Sequence, residues 1–173
     1  MRKILFSIML YLGYSGLLCP ALAQSEEDFE KDGLKHYDKA YFTAIPQKNR
    51  AMADEEFALA EKAFHKAIEK RPRRINAYLH LGRTYSAQKK YAAAAETYRS
   101  ALMIAPQQKK IYLSLASALE KDGNYRGAIN ALEELRALES DDRAIRIIDD
   151  FIGKMEKRAA GTDPDNSQSG ELP

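Results

Sequence analysis

Apolar residues recur along most of this chain at spacings of three and four, the period of helices that bury one face. Phe29, Gly33, Tyr37, Ala40 and Tyr41 follow the acidic start Ser25-Glu26-Glu27-Asp28 and predict a helix over about Glu26 to Ala44. Acids suit a first helical turn, where unpaired N–H groups point outward. Pro46 disfavours helix at Ile45. Phe57, Ala60, Phe64, Ala67 and Ile68 then share one face of a helix over Glu55 to Lys70, and Arg71-Pro72-Arg73-Arg74 follows as a turn. Tyr78, Leu81 and Tyr85 form the face of the next helix; Ala94, Tyr98, Ala101 and Leu102 form that of its successor, after the polar turn Gln88-Lys89-Lys90. Pro106 stops that second helix, since it lacks an N–H and clashes with the preceding turn. Farther on, Ile145, Ile148, Phe151, Ile152 and Met155 make an apolar stripe that begins after Asp141-Asp142 and runs to about Lys157. No alternating strand pattern intervenes, so the fold class is all-α.

The helices repeat. Adding 34 to the position number carries Tyr78 to Tyr112, Leu81 to Leu115, Gly82 to Ala116, Tyr85 to Leu119, Ala94 to Ala128 and Tyr98 to Leu132. The turn Lys121-Asp122-Gly123-Asn124-Tyr125 falls where a helix–helix turn belongs. The reverse shift carries Ala94 to Ala60, Tyr98 to Phe64, Ala101 to Ala67 and Pro106 to Pro72. The stretch Ile75 to Gln108 therefore reads aromatic-x₂-L-G-x₂-Y, A-x₃-aromatic, Pro, and resembles the tetratricopeptide repeat (TPR), a pair of antiparallel helices in ~34 residues. Tyr78 stands where that family more often has Trp. The resemblance covers about Glu26 to Lys157. It implies a TPR-type α-solenoid of about three helix pairs, with units near 26–72, 75–108 and 109–142, closed by a C-terminal capping helix over 143–158. One unit cannot bury its apolar face alone, and about three are needed for a stable stack.

The first unit is irregular. Gly82 and Ala94 are 12 residues apart, whereas Gly33 and Ala60 are 27 apart, an excess of about 15 around Pro46. A longer hairpin, with each helix extended by about two turns of ~5.4 Å, accommodates the excess; a disordered loop over Thr43 to Ala53 is the alternative. The end of the chain, 159–173, is polar, and is expected to be a disordered tail.

The start has a different character. Arg2 and Lys3 precede an apolar run from Ile4 to Leu18, and Ala21-Leu22-Ala23 supplies a small-residue cleavage site. The pattern is that of a secretory signal peptide over 1–23, with a periplasmic or secreted domain over 24–158. The run is short for a spanning helix and is broken by Ser7, Gly13, Ser15, Gly16 and Pro20, which argues against stable membrane insertion. Cys19 is preceded by Leu17-Leu18 rather than the small residue that lipoproteins prefer. Cleavage after Ala23 removes this single cysteine, so the helical core must stabilise the domain without disulfides.

Loss of Arg2 and Lys3 leaves 25 basic residues against 25 acidic ones. The balance is local, however: Lys62 to Lys110 has 12 Lys/Arg against 2 Asp/Glu, while each flank is −5. A basic middle between acidic ends points to an anionic partner; export argues against nucleic acid.

No catalytic constellation is present. His36, His65 and His80 fall on three different helices, none paired at i, i+4, and a mature chain has no cysteine, so neither a metal nor a cofactor is expected. Phosphate-binding Gly-rich loops, G-x-S-x-G and H-E-x-x-H are all missing. The recurrence assigns Tyr78, Tyr85, Tyr98 and Tyr112 to the core. In the TPR family the first helices line a concave groove that binds extended peptides or partner helices. The resemblance then directs Asn76, Leu79, His80, Arg83 and Ser86 to that groove in one unit, and Lys110, Leu113, Ser114, Ser117 and Glu120 in the next. One TPR subgroup holds C-terminal carboxylates with Lys, Asn and Arg. Here Lys110 supplies one cation, but His80 and Ser114 occupy the Asn and Arg places and the first unit has no matching Lys/Asn pair, so that activity is not carried over. The reading is a non-catalytic protein–protein scaffold of the cell envelope. Self-assembly, or a place as accessory subunit of an envelope enzyme or secretion complex, is the alternative.

Overall fold

The computed structural model describes residues 25–162; the expected signal peptide, 1–23, and most of the expected tail, 163–173, lie outside them. Within that span seven α-helices follow one another: α1 Glu26–Asp38, α2 Arg50–Lys70, α3 Ile75–Ala87, α4 Tyr91–Ile104, α5 Lys109–Lys121, α6 Tyr125–Ala137 and α7 Asp142–Ala159. Each packs on its successor, and α1 also touches α3. The result is a stack of hairpins α1/α2, α3/α4 and α5/α6 with α7 laid on α6, which is an α-solenoid.

Local chemistry sets the helix starts. Ser25 and Asp28 form a reciprocal capping box on α1: the Asp28 N–H donates to Ser25 Oγ at 3.3 Å and the Ser25 N–H to Asp28 Oδ2 at 2.9 Å. Asn49, Asn124 and Asp141 each accept a backbone N–H at the start of α2, α6 and α7. The tyrosines that stand for Trp have a task of their own. Tyr78 donates to the Pro72 carbonyl at 3.0 Å, and Tyr112 to that of Pro106 at 3.1 Å. The same bond recurs one repeat later and ties each new hairpin to the turn before it.

The residues extra to the first unit are ordered, which excludes the disordered loop. They lengthen both helices, as a longer hairpin requires, but not as two plain α-helices. After Asp38 the chain widens into a π-helical segment, Lys39–Ala44, marked by the Ile45 N–H donating five residues back to Ala40 O at 3.0 Å. The partner helix begins at Arg50, earlier than the expected Glu55, because Asn49 caps it. The widened turn keeps Ala40 and Ala44 buried against Ala53 and Phe57, and leaves Tyr41, Phe42 and Ile45 exposed. The tail expectation also needs correction at its start. Ala159 closes α7, and the Gly161 and Thr162 N–H groups bond back to Arg158 and Lys157 carbonyls.

Small residues sit where helix backbones meet. A Cβ on Gly33 of α1 would lie 2.6 Å from Phe64 Cε1 of α2, and one on Gly82 of α3 would lie 2.5 Å from Tyr98 Cε1 of α4. Phe64 and Tyr98 hold the same place in successive repeats, so the two contacts are one contact repeated. The largest apolar cluster runs from α4 through α5 and α6 to Ile148 and Met155 of α7. A second cluster, Ala60, Phe64 and Leu81, joins the first hairpin to α3.

Two charged groups lock the ends of the stack. Buried Glu56 of α2 accepts from His36 Nδ1 at 2.6 Å and from Lys39 of the π-helical segment. Glu139, after α6, accepts Lys109 Nζ at 2.9 Å and the N–H groups of Ser140 and Asp141 at 2.9 and 3.2 Å. Hydrogen bonds from His36 and then Lys39 hold the Glu56 carboxyl below its usual 4.5; those from Lys109 and the two backbone groups bring Glu139 down to about 2. A carboxylate whose folded pKa is depressed stabilises the fold above its unfolded pKa and loses that contribution as pH falls through the folded value. The contribution of these two carboxylates to the unfolding free energy should therefore decline as pH falls from 4.5 towards 2. In Glu139→Gln the decline below about pH 4 should be shallower by urea titration; an unchanged slope would remove Glu139 from the account.

Candidate functional site

The first helices α1, α3 and α5 bound a cleft of about 520 Å³. Tyr37 and Tyr41 come from the first hairpin, Arg83 and Ser86 from α3, Tyr91 and Tyr98 from α4, and Leu113, Ser114, Ser117 and Lys121 from α5, with Lys89 in the α3–α4 turn. A smaller hollow of about 170 Å³ adjoins it, lined by Leu34, Tyr37, Asp38, Tyr41, Phe42, His80 and Arg83. Tyr37, Tyr41 and Arg83 belong to both, so they form the partition. The two tyrosine rings stack at 5.7 Å between centroids, 8° from parallel, and Phe42 meets Tyr41 edge-on at 5.2 Å.

Charge in the cleft has one sign. Its lining contains Arg83, Lys89 and Lys121 and no carboxylate. Arg83 lies over the Tyr37 ring at 5.8 Å and Lys121 over Tyr91 at 5.9 Å. Aromatic faces attract a cation without neutralising it, so the charge stays available to an anion. The backbone adds to this placement, since Lys89 holds a left-handed φ of 60°, as Gly123 does in the next repeat at 78°. Tyr98 is buried except where its edge meets the cleft, and burial raises its phenol while the Ser86 and Ser114 hydroxyls and Arg83 pull the other way.

Of the groove residues read from sequence, Arg83, Ser86, Leu113, Ser114 and Ser117 line the cleft, and His80 lines the smaller hollow. Asn76, Leu79 and Lys110 line neither. Asn76 and Lys110 stand exposed near the starts of α3 and α5, while Leu79 is half-buried against the core. Glu120 is bonded to Arg158 of α7. His80 has structural work as well. Its ring stacks on Phe64 at 5.4 Å, Glu30 Oε1 is 3.6 Å from its Nε2, and burial lowers its pKa.

Four of the twelve cations of the basic middle are paired away from the cleft. Arg74 pairs with Glu30 at 2.7 Å, Lys90 with Glu61 at 3.3 Å, Lys109 with Glu139, and Arg99 with Glu96. Only Arg83 and Lys89 of that stretch line the cleft, and Lys121 comes from outside it. Sequence reasoning thus missed Lys89, Lys121, Tyr37, Tyr41 and Tyr91 as cleft residues. For Tyr37 and Tyr41 the available signal was the long first unit that carries them; Lys89, Tyr91 and Lys121 had none. Among the described residues no three or more His, Cys, Asp or Glu are placed to hold a metal ion, and no helix is long and apolar enough to cross a membrane.

Repeated hairpins with one small–large contact per repeat define a class, the helical-repeat solenoids. Two family profiles described as Tetratricopeptide repeat match residues 49–109 and 85–147. The chain belongs to the tetratricopeptide-repeat family. Solved structures agree on the fold. The TPR2B domain of yeast Sti1, in a pHsp70 complex, superposes with a TM-score of 0.56 at 19% identity, over 77% of this chain and 97% of that one. The type III secretion chaperone SycD of Yersinia enterocolitica, in complex with a peptide of the translocator YopD, gives 0.52 at 16%, over 75% and 93%. The Sgt2 TPR domain of Aspergillus fumigatus gives 0.51 at 23%, over 76% and 84%. No curated protein matches the sequence.

Proposed function

We propose that this chain is a non-catalytic protein-binding module of the cell envelope, exported by the leader 1–23, which holds an acidic extended segment of a partner protein in the α1/α3/α5 cleft. The observation that carries the reading is the cleft lining: three cations, two of them on tyrosine faces, three serine hydroxyls, and no carboxylate. An extended peptide offers backbone groups to the hydroxyls, apolar side chains to the tyrosines and acids to the cations. Electrostatic complementarity of this kind supplies orientation and encounter rate as much as affinity. SycD, of the same fold, is seen with a peptide bound.

Acidic twelve-residue peptides should bind the 24–173 protein more tightly than their amide-substituted counterparts, and the difference should shrink as salt rises. Arg83→Ala/Lys89→Ala/Lys121→Ala should weaken acidic peptides at least tenfold with little change in melting temperature, since exposed sites shift stability little. Equal affinity for acidic and amide peptides would reject the reading. Location has its own check: cellular protein should begin at Gln24, and a retained Met1 argues against export.

Self-association is the second reading. Ile147 and Phe151 stand about half exposed on α7, the edge of the stack. A constant mass across a wide concentration range discards it.

A further inference from the structure

We infer that the extended first hairpin adds a second anchoring point, so that the segment held in the cleft carries an aromatic side chain two residues from an acidic one. This rests on the cleft reading above and specifies its ligand. Three observations carry it. First, the smaller hollow has a volume of about 170 Å³, with Leu34, Tyr37, Tyr41 and Phe42 as its apolar wall and Asp38, His80 and Arg83 completing the lining. An apolar cavity of about 150 Å³ is enough to hold a benzene molecule, so one phenyl ring fits. Second, Phe42 is 68% exposed and Tyr41 45%, although the core of the hairpin needs neither, being built from Ala40, Ala44, Ala53 and Phe57. Exposed aromatics that pack mainly on one another are a surface awaiting a partner. They arise at the π-helical segment, a local irregularity that is frequent at functional sites.

Third, Arg83 lines both spaces, with its guanidinium over the Tyr37 ring. A carboxylate bound there sits at the partition. In an extended chain residues i and i+2 point the same way, about 7 Å apart. An acid on Arg83 therefore places the side chain two positions away at the mouth of the hollow, on Tyr41 and Phe42. The rest of the segment runs along Ser114 and Ser117 towards Lys121. His80 of the lining stacks on Phe64 and is neutral at neutral pH, since burial lowers its pKa, and Asp38 shares the lining, so the hollow favours a ring over a second anion.

Three twelve-residue peptides decide the matter by isothermal titration on the 24–173 protein: one with Phe-x-Glu at its centre, one with Ala-x-Glu, and one with Phe-x-Gln. The Phe-x-Glu peptide should bind at least tenfold tighter than either of the others. Phe42→Ala, at a residue that lines the hollow and not the cleft, should bring Phe-x-Glu to the level of Ala-x-Glu and leave Ala-x-Glu unchanged. The Phe42 side chain is 68% exposed, so folding should survive, and circular dichroism checks that. If Phe-x-Glu and Ala-x-Glu bind equally, the aromatic anchor is wrong while the acidic-segment reading stands. If none of the three binds, both fall. Binding that appears only after truncation beyond Thr162 would make the chain's own acidic segment 163–173 the occupant and overturn the assignment. So would a dimer that Phe42→Ala converts to monomer.

Discussion

Phe64→Ala should destabilise the domain by about 3–5 kcal/mol. Phe64 is fully buried on α2 and touches both α1 and α3. On one side its ring lies where a Gly33 Cβ would be 2.6 Å away, so α1 rests directly on it. On the other it stacks on His80 of α3 and clusters with Leu81. Truncation to alanine removes the ring that joins the first hairpin to the rest of the stack. Gly33 supplies no atoms to refill the gap. A domain of this size is stable by about 5–15 kcal/mol, so the loss is a large share of the total. At roughly 3 °C per kcal/mol, melting should fall by about 9–15 °C. Because α1 and the smaller hollow depend on this contact, Phe-x-Glu peptides should lose affinity before the helices melt. A melting point within about 3 °C of the unsubstituted protein, the shift expected from only about 1 kcal/mol, would show that the first hairpin does not dock through Phe64.

How far the sequence foretold this depends on the distance over which a signal acts. Phe64 and Tyr98 were legible as equivalent repeat positions because they lie one repeat apart, but that each receives the glycine of its hairpin partner, Gly33 or Gly82, was not, since spacing alone does not say which residues of two facing helices meet. The tyrosines at 78 and 112 were legible as core positions. Their hydroxyl bonds to the Pro72 and Pro106 carbonyls leave no mark on the apolar pattern, although the same offset joins donor to acceptor in both units. The cleft was only half legible. Arg83, Leu113, Ser114 and Ser117 follow from helix periodicity and family geometry, but a cleft is closed by residues far apart in sequence. Lys121 and Tyr91 meet through the packing of α5 against α4, and Tyr41 enters because a π-helical turn redirects the end of α1. Counting charge along Lys62 to Lys110 averaged over helix faces, and so credited the groove with cations that Glu30, Glu61 and Glu139 hold elsewhere.

The second large effect links the fold to the cleft. Gly82→Leu places a Cβ that would lie 2.5 Å from Tyr98 Cε1 and 2.7 Å from Cζ, closer than carbon atoms approach. Replacing a mid-helix glycine gains roughly 1 kcal/mol of helix propensity. Overpacking a close helix–helix contact costs about 1–3 kcal/mol, and the side chain beyond Cβ puts this case at the upper end. The steric cost wins, for a net loss of about 2 kcal/mol and a melting point roughly 6 °C lower. The ring has one direction in which to move. Tyr98 is buried on α4 but its edge lines the cleft, beside Ser86 and Ser114. The introduced leucine should push it there and fill the space a peptide backbone needs, so acidic peptides should lose affinity well beyond what a partial loss of stability explains. Removing the ring tests the cause. Tyr98→Ala alone should cost about 3–5 kcal/mol through the cavity it leaves, whereas in the Gly82→Leu background it should cost much less, because the leucine side chain occupies that cavity. Neighbouring residues that share one contact are non-additive in this way, typically by about 0.5–3 kcal/mol. If the two substitutions instead add within about 0.5 kcal/mol, as independent sites do, Gly82 and Tyr98 do not share a contact, and the small–large pairing on which the register of the whole stack rests is misplaced.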